Sequence, residues 1–177
     1  LKIGLVRHFK VKRGYPNKVV SSDDLMKWLD EYEASEVEEC EIDVGGIEWK
    51  KCYSSDLTRA KITAEKAFSG NIIYLEELRE VPLTPFFKKN VRLPLFLHLI
   101  FIRIAWLLNH PTQKESKQNV LKRIHKVLDE VLETGEDVLI VGHGGIMIFM
   151  RKELIRRGFK GPKFKRPENA KLYIFEK

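Results

Sequence analysis

Residues 54–64 read Ser54-Ser55-Asp56-Leu57-Thr58-Arg59-Ala60-Lys61-Ile62-Thr63-Ala64, directly after Trp49 to Tyr53, a run suited to a short strand. Ser55 or Asp56 is placed to cap a helix over 57–69, and Gly70-Asn71 is placed to end it. The stretch therefore predicts a strand that runs through a polar turn straight into a helix. An arginine at a helix start is electrostatically awkward, because that end carries the positive pole of the helix dipole. Arg59 makes sense there when an anion sits beside it.

The same grammar recurs on both sides of this stretch. Residues 2–6 suit a buried strand that ends in Arg7-His8. Ile72 to Leu75 suit a third strand, followed by Leu78-Arg79-Glu80. Asp137 to Val141 suit a fourth, which passes through Gly142-His143-Gly144-Gly145 into a helix over 146–157, and Lys171 to Phe175 suit a last. Ser22 and Asp23 can cap a helix whose apolar face is Leu25, Trp28, Leu29 and Tyr32, and residues 115–134 form an amphipathic helix. Residues 10–20, with Gly14, Pro16 and Asn17, and residues 81–94, with Pro82, Pro85 and Pro94, are irregular. Strands alternating with helices predict an α/β domain whose largely parallel sheet is covered on both faces. Ligands bind such sheets at the carboxyl ends of the strands. Arg7, His8, Ser54, Ser55, Arg59 and His143 all stand just past strand ends.

The 177 residues suit one domain, and 44% hydrophobic with 32% charged residues excludes a disordered chain. The 32 Lys and Arg against 25 Asp and Glu leave a net charge of +7, which favours an anionic partner without choosing one. Acidic residues crowd positions 30–43 and basic ones the tail from Arg151, a pattern of two solvated faces. Phe159, Phe164 and Tyr173 are too few aromatics to make the tail a nucleic-acid face, so no nucleic-acid partner is expected. Cys40 and Cys52 form no metal-binding spacing and read as free thiols of a reducing compartment. No signal-peptide pattern precedes residue 2, and a cytoplasmic location is expected.

Taken together, Val6-Arg7-His8, Ser54 to Ala64, Leu78-Arg79-Glu80 and Val141-Gly142-His143-Gly144 resemble the histidine phosphatase superfamily, the phosphoglycerate-mutase-like proteins. All four elements occur in family order across residues 3–145. The resemblance implies a three-layer α/β/α fold with a mostly parallel sheet, one domain over 1–177, and a small cap inserted near 81–110. It implies hydrolysis of a phosphate monoester on a small molecule, without metal or cofactor, through a phosphohistidine on His8. Arg7 and Arg59 would hold the phosphoryl oxygens with planar guanidinium forks, and Gly144 would offer a helix-start N–H to the same anion. His143 would donate to those oxygens in its charged form. Glu80 would serve as acid for the leaving group and then as base for water. Glu77 is its rival at less suitable spacing. Lys10, Lys12 and Arg13 are candidates for a second anionic group of the substrate.

Alternative readings stand beside this one. A lone Arg-His pair is more often a satisfied core histidine, and only the other three elements reverse that preference. A phosphohistidine phosphatase acting on phosphoproteins would not need Glu80. A non-catalytic phosphoryl sensor would keep the pocket and lose turnover. A mutase is disfavoured by the short chain. Phe9 replaces the family's glycine after Arg-His, which is expected to reshape the loop or narrow the pocket. The apolar run 95–108 is too short and too interrupted by charge to cross a bilayer. A helix packed over the core is the expectation for it; a dimer interface, a lid for an apolar substrate and a membrane-surface helix are the other readings. The sequence assigns no oligomeric state.

Overall fold

A computed structural model describes all residues, Leu1–Lys177. In chain order it runs β1 (Lys2–Arg7), β2 (Lys10–Val11), β3 (Val19–Val20), α1 (Ser22–Ala34), β4 (Val37–Glu38) and β5 (Lys51–Ser55). There follow α2 (Thr58–Ala67), β6 (Ile72–Leu75), a 3-10 turn (Glu76–Leu78), β7 (Leu93–Pro94) and α3 (Leu95–Leu107). The chain closes with α4 (Lys117–Glu133), β8 (Val138–Gly142), α5 (Gly144–Arg156) and β9 (Leu172–Glu176).

Five strands form the main sheet in the order β6-β5-β8-β1-β9, and β2–β4 and β3–β7 make two short ladders. All pairings in the main sheet are parallel except β1 with β9. The predicted α/β/α class with a mostly parallel sheet is therefore the observed one. Parallel strands buried on both faces read as continuous apolar runs, and β8 (Val-Leu-Ile-Val-Gly) is buried at all five positions. The parallel register sets Val6 opposite Val141 and Arg7 opposite Gly142, while Val141 also faces Ser54. Three strands thus release their chains at one sheet edge, side by side.

The chain divides into two compact units. The first comprises residues 1–10, 37–80 and 121–177 and contains the main sheet. One of its core clusters joins Val6, Cys52, Leu139 and Val141 of the strands to Ala60 and Ala64 of α2, with Trp49 against them. The small α2 residues let that helix lie close to the sheet. The second unit comprises 11–36 and 81–120, a wider set than the insertion near 81–110. Its core joins Val20, Leu25 and Trp28 to Leu95 and Ile102.

Local signals differ from expectation at two helix starts. The cap of α1 is Ser21, not Ser22 or Asp23: its hydroxyl accepts from Asp24 N–H while the Asp24 carboxylate accepts from Ser21 N–H. This reciprocal box satisfies two helix-start donors at once, which a simple side-chain cap does not. At α2 neither Ser55 nor Asp56 caps; Leu57 holds that position without a side-chain bond, and the helix stops at Ala67, short of Gly70. Ser55 and Asp56 are engaged elsewhere, with consequences for the site. No helix is long and apolar enough to cross a membrane.

Candidate active site

Arg7 and His8 leave the end of β1, where His8 N–H still donates to Gly142 O (3.0 Å) as the ladder's last rung. The His8 imidazole is almost fully buried, and its Nδ1 lies 2.6 Å from Phe9 O. A carbonyl oxygen only accepts, so Nδ1 carries the proton and Nε2 keeps its lone pair. Burial first, then the positive fields of Arg59 and Arg7, outweigh the carbonyl's opposing effect and lower the His8 pKa to about 3. His8 is therefore a neutral imidazole whose Nε2 keeps an unprotonated lone pair throughout the physiological range.

The backbone around His8 is clamped by side chains remote in sequence. Asn169 Nδ2 donates to His8 O at 2.7 Å. Phe9 N–H donates to Thr63 Oγ1 at 2.8 Å, and the Thr63 hydroxyl donates to Arg59 O at 2.7 Å. That chain of bonds ties the His8 loop to the first turn of α2. Phe9 itself is wholly buried, so its side chain belongs to the core. Its backbone performs the positioning, which any residue with a free N–H and C=O would supply.

His143 enters from the end of β8. It is completely buried, its ring centroid stands 5.1 Å from that of His8, and its Nε2 lies 2.9 Å from Ser55 Oγ. Burial, then Arg59, His8 and Arg7, lower its pKa well below the usual imidazole value. His143 is thus a neutral imidazole, whereas the form expected from sequence, with an anion bound, is the charged one. Its Nδ1 is buried with no hydrogen-bond partner, and so is Arg7 Nε. Buried polar atoms left unpaired are costly unless a ligand completes them. Arg7 Nη1 donates to Pro167 O at 3.0 Å, which orients the guanidinium. Gly144 makes room for it: a Cβ there would stand 3.3 Å from Arg7 Nε.

Glu80 reaches the start of α5, where its two carboxylate oxygens accept from Gly145 N–H (2.9 Å) and Ile146 N–H (3.1 Å). Gly145 is required for this approach, since a Cβ would fall 2.5 Å from Glu80 Oε1. The helix-start N–H of Gly145, next to Gly144, is therefore occupied by the protein's own carboxylate. The Glu77 carboxylate, the rival read from sequence, pairs instead with Lys126. The segment before Glu80 is held by Arg123 Nη1, which donates to Glu77 O and Arg79 O at 2.6 Å each. Arg79 in turn grips Asp56 through Nε (2.7 Å) and Nη2 (2.5 Å), bridging this segment to the turn that precedes Arg59.

Arg7, His8, Arg59, Glu80, His143 and Gly144 are thus gathered by one sheet edge, linked by the contacts and fields above. Lys10, Lys12 and Arg13 are differently disposed, each facing a carboxylate: Glu38 (3.6 Å), Glu36 (2.9 Å) and Glu31 (2.8 Å). Sequence reasoning missed Asn169, Thr63 and Arg123 as supports. Thr63 lay inside the quoted motif, whereas Asn169 and Arg123 carried no local signal.

A mostly parallel α/β/α sheet with two histidines and two arginines at one strand edge defines a class of phosphoryl-transfer proteins. The profile of the histidine phosphatase superfamily (branch 1) matches residues 3–177, and the chain belongs to that family. It is accordingly a metal-independent phosphatase that works through a phosphohistidine. Among solved structures it is similar to YhfR of Bacillus stearothermophilus, with 20% identity, a TM-score of 0.63, and coverage of 99% of this chain and 90% of that one. It is similar also to a putative alpha-ribazole-5'-P phosphatase from Escherichia coli, with 18% identity, a TM-score of 0.62 and coverage of 98% and 89%. The mycobacterial glucosyl-3-phosphoglycerate phosphatase matches with 19% identity, a TM-score of 0.61 and coverage of 88% and 79%. At these identities the likeness carries the fold. No curated protein matches the chain in sequence.

Proposed function

We propose that His8 is the nucleophile, Glu80 the proton donor, and a small-molecule phosphate monoester the substrate, with all of 1–177 acting as one histidine-phosphatase domain. The observation that carries this is the His8 ring, a neutral imidazole locked with Nδ1–H on Phe9 O and Nε2 available. In the first step Nε2 bonds to phosphorus, the P–O bond to the alcohol breaks, and the leaving oxygen takes a proton from the Glu80 carboxyl. In the second, Glu80 accepts a proton from water, the hydroxide oxygen bonds to phosphorus, and the P–N bond breaks. Arg7, Arg59 and protonated His143 meet the charge on the three transferring oxygens.

The presence of a carboxylate at position 80 supports the monoester reading, because an alkoxide leaving group needs a proton and a phosphohistidine's imidazole does not. The relatives' printed activities, on alpha-ribazole-5'-P and glucosyl-3-phosphoglycerate, are of the same chemical kind. The test is hydrolysis of an aryl phosphate in excess chelator by wild type and His8→Ala. Activity that survives chelation and disappears in the variant is expected; a variant that stays active overturns the assignment. Phosphate should also bind with uptake of a proton as His143 becomes charged. Titration calorimetry in two buffers of different ionisation enthalpy reads that uptake directly.

A further inference from the structure

Helix α3 is apolar on nearly its whole circumference, and only one side is covered. Leu95, His98, Ile102, Ala105 and Trp106 are buried, whereas Phe96 (61% exposed), Ile100 (47%), Ile104 (49%), Leu107 (48%) and the following Leu108 (75%) face outward. Phe96, Ile100, Ile104 and Leu107 stand at i, i+4, i+8 and i+11, so they form one continuous stripe along the helix. Exposed large residues scattered singly need no explanation, but a contiguous apolar stripe of this size marks a docking surface.

The charges of the segment that carries the stripe select what docks. Residues 81–114 contain Lys88, Lys89, Arg92, Arg103 and Lys114 and no aspartate or glutamate. Lys88, Lys89, Arg92, Arg103 and Lys114 are all exposed. Arg103, at i+7 from Phe96, shares the face of the stripe. The acids of this unit are Asp23, Asp24, Asp30, Glu31, Glu33 and Glu36 on and after α1, and Glu115 just past the basic segment; α1 packs through Leu25 and Trp28 with the buried side of α3.

We propose that this face docks on the surface of an anionic lipid bilayer, with α3 lying in the plane of the headgroups. The exposed side chains enter the acyl boundary, and Arg103 with the flanking lysines reaches lipid phosphate oxygens. At 13 residues the helix is about 20 Å long, sufficient to lie in an interface and too short to cross one. A second copy of the chain fits less well. Stripe-to-stripe packing would bury two Arg103 guanidiniums with no carboxylate in the segment to meet them, and an uncompensated buried charge is strongly destabilising.

The test is co-sedimentation of the full chain with vesicles of half phosphatidylglycerol and half phosphatidylcholine, against phosphatidylcholine alone. Wild type is expected to pellet with the anionic vesicles and to be released by high salt. The combined variant Ile100→Ser, Ile104→Ser, Leu107→Ser, and separately Arg103→Glu, should each lower binding about tenfold or more, with aryl phosphate hydrolysis unchanged. Retained hydrolysis shows that the variants fold. Absence of binding to anionic vesicles, or equal binding to phosphatidylcholine alone, overturns the proposal. So does a wild-type dimer in sedimentation velocity that Ile104→Ser converts to monomer.

Discussion

The edge of the main sheet and the outer face of α3 invert ordinary burial in opposite senses. At the sheet edge His8, His143 and Arg59 are polar yet nearly sealed from solvent; on α3 Phe96, Ile104 and Leu107 are apolar yet open to it. Folding stability alone favours neither arrangement, since buried polar groups cost desolvation and exposed apolar ones forgo burial. The two regions are maintained differently. The polar site is held by bonds from scattered positions, Asn169 to His8 O and Thr63 to Phe9 N among them. The outer face of α3 is held by nothing on its own side; the helix is fixed by Leu95 and Ile102 beneath it. Substitutions at the first region should therefore propagate, and those at the second should stay local.

The largest expected break in this comparison is Glu80→Gln. It should lower kcat on alkyl phosphates by about a hundredfold to ten-thousandfold, with a smaller loss on nitrophenyl phosphate, whose leaving group needs no proton. Equal losses on both substrates would remove Glu80 from the role of acid. Next is the two-sided test of α3. Ile102→Ala should cost about 2–5 kcal/mol in denaturant unfolding, whereas Ile104→Ala, one face over, should stay within about 0.5 kcal/mol. Similar costs at both positions would mean that the outer face is packed in solution.

Gly145→Ala sharpens the site side of the comparison. Its new Cβ would collide with Glu80 Oε1, so kcat should fall about tenfold or more while phosphate affinity changes little. A fall in phosphate affinity instead would show that Gly145 serves the phosphoryl group and not Glu80. A further effect is on stability against pH. With His8 lowered from 6.5 to about 3, the unfolded chain binds a proton that the folded one refuses between those values. Stability is full above about 6.5 and declines as pH falls toward 3, with His143 acting in the same direction. Glu153, held at about 2 chiefly by Arg156 against an ordinary 4.5, adds a second decline below 4.5. His8→Gln should flatten the upper part of the profile in unfolding midpoints measured from pH 7 to 4; an unchanged slope would contradict the burial of a neutral imidazole.

Much of the candidate site was legible in the sequence, because its polar residues cluster in short segments at strand ends. Arg7-His8, Arg59, Glu80 and His143-Gly144 each occupy a strand exit, and parallel pairing carries such exits to one edge without further information. The local rules erred where side chains had competing partners. Ser55 could cap α2 by type, but its hydroxyl lies against His143 and reaches only the N–H of Leu57 ahead of the helix, and Asp56 is taken by Arg79.

Residue order alone determined the strand–helix alternation, the mostly parallel sheet and the family, since periodicity and motif spacing are properties of neighbours along the chain. Tertiary structure decided that Glu80 and not Glu77 meets α5, that the Phe9 ring turns into the core, and that Asn169 secures the His8 carbonyl. It also decided which side of α3 is covered. A helix apolar all round carries no periodic signal of its own, so its orientation depends on what the rest of the chain packs against it.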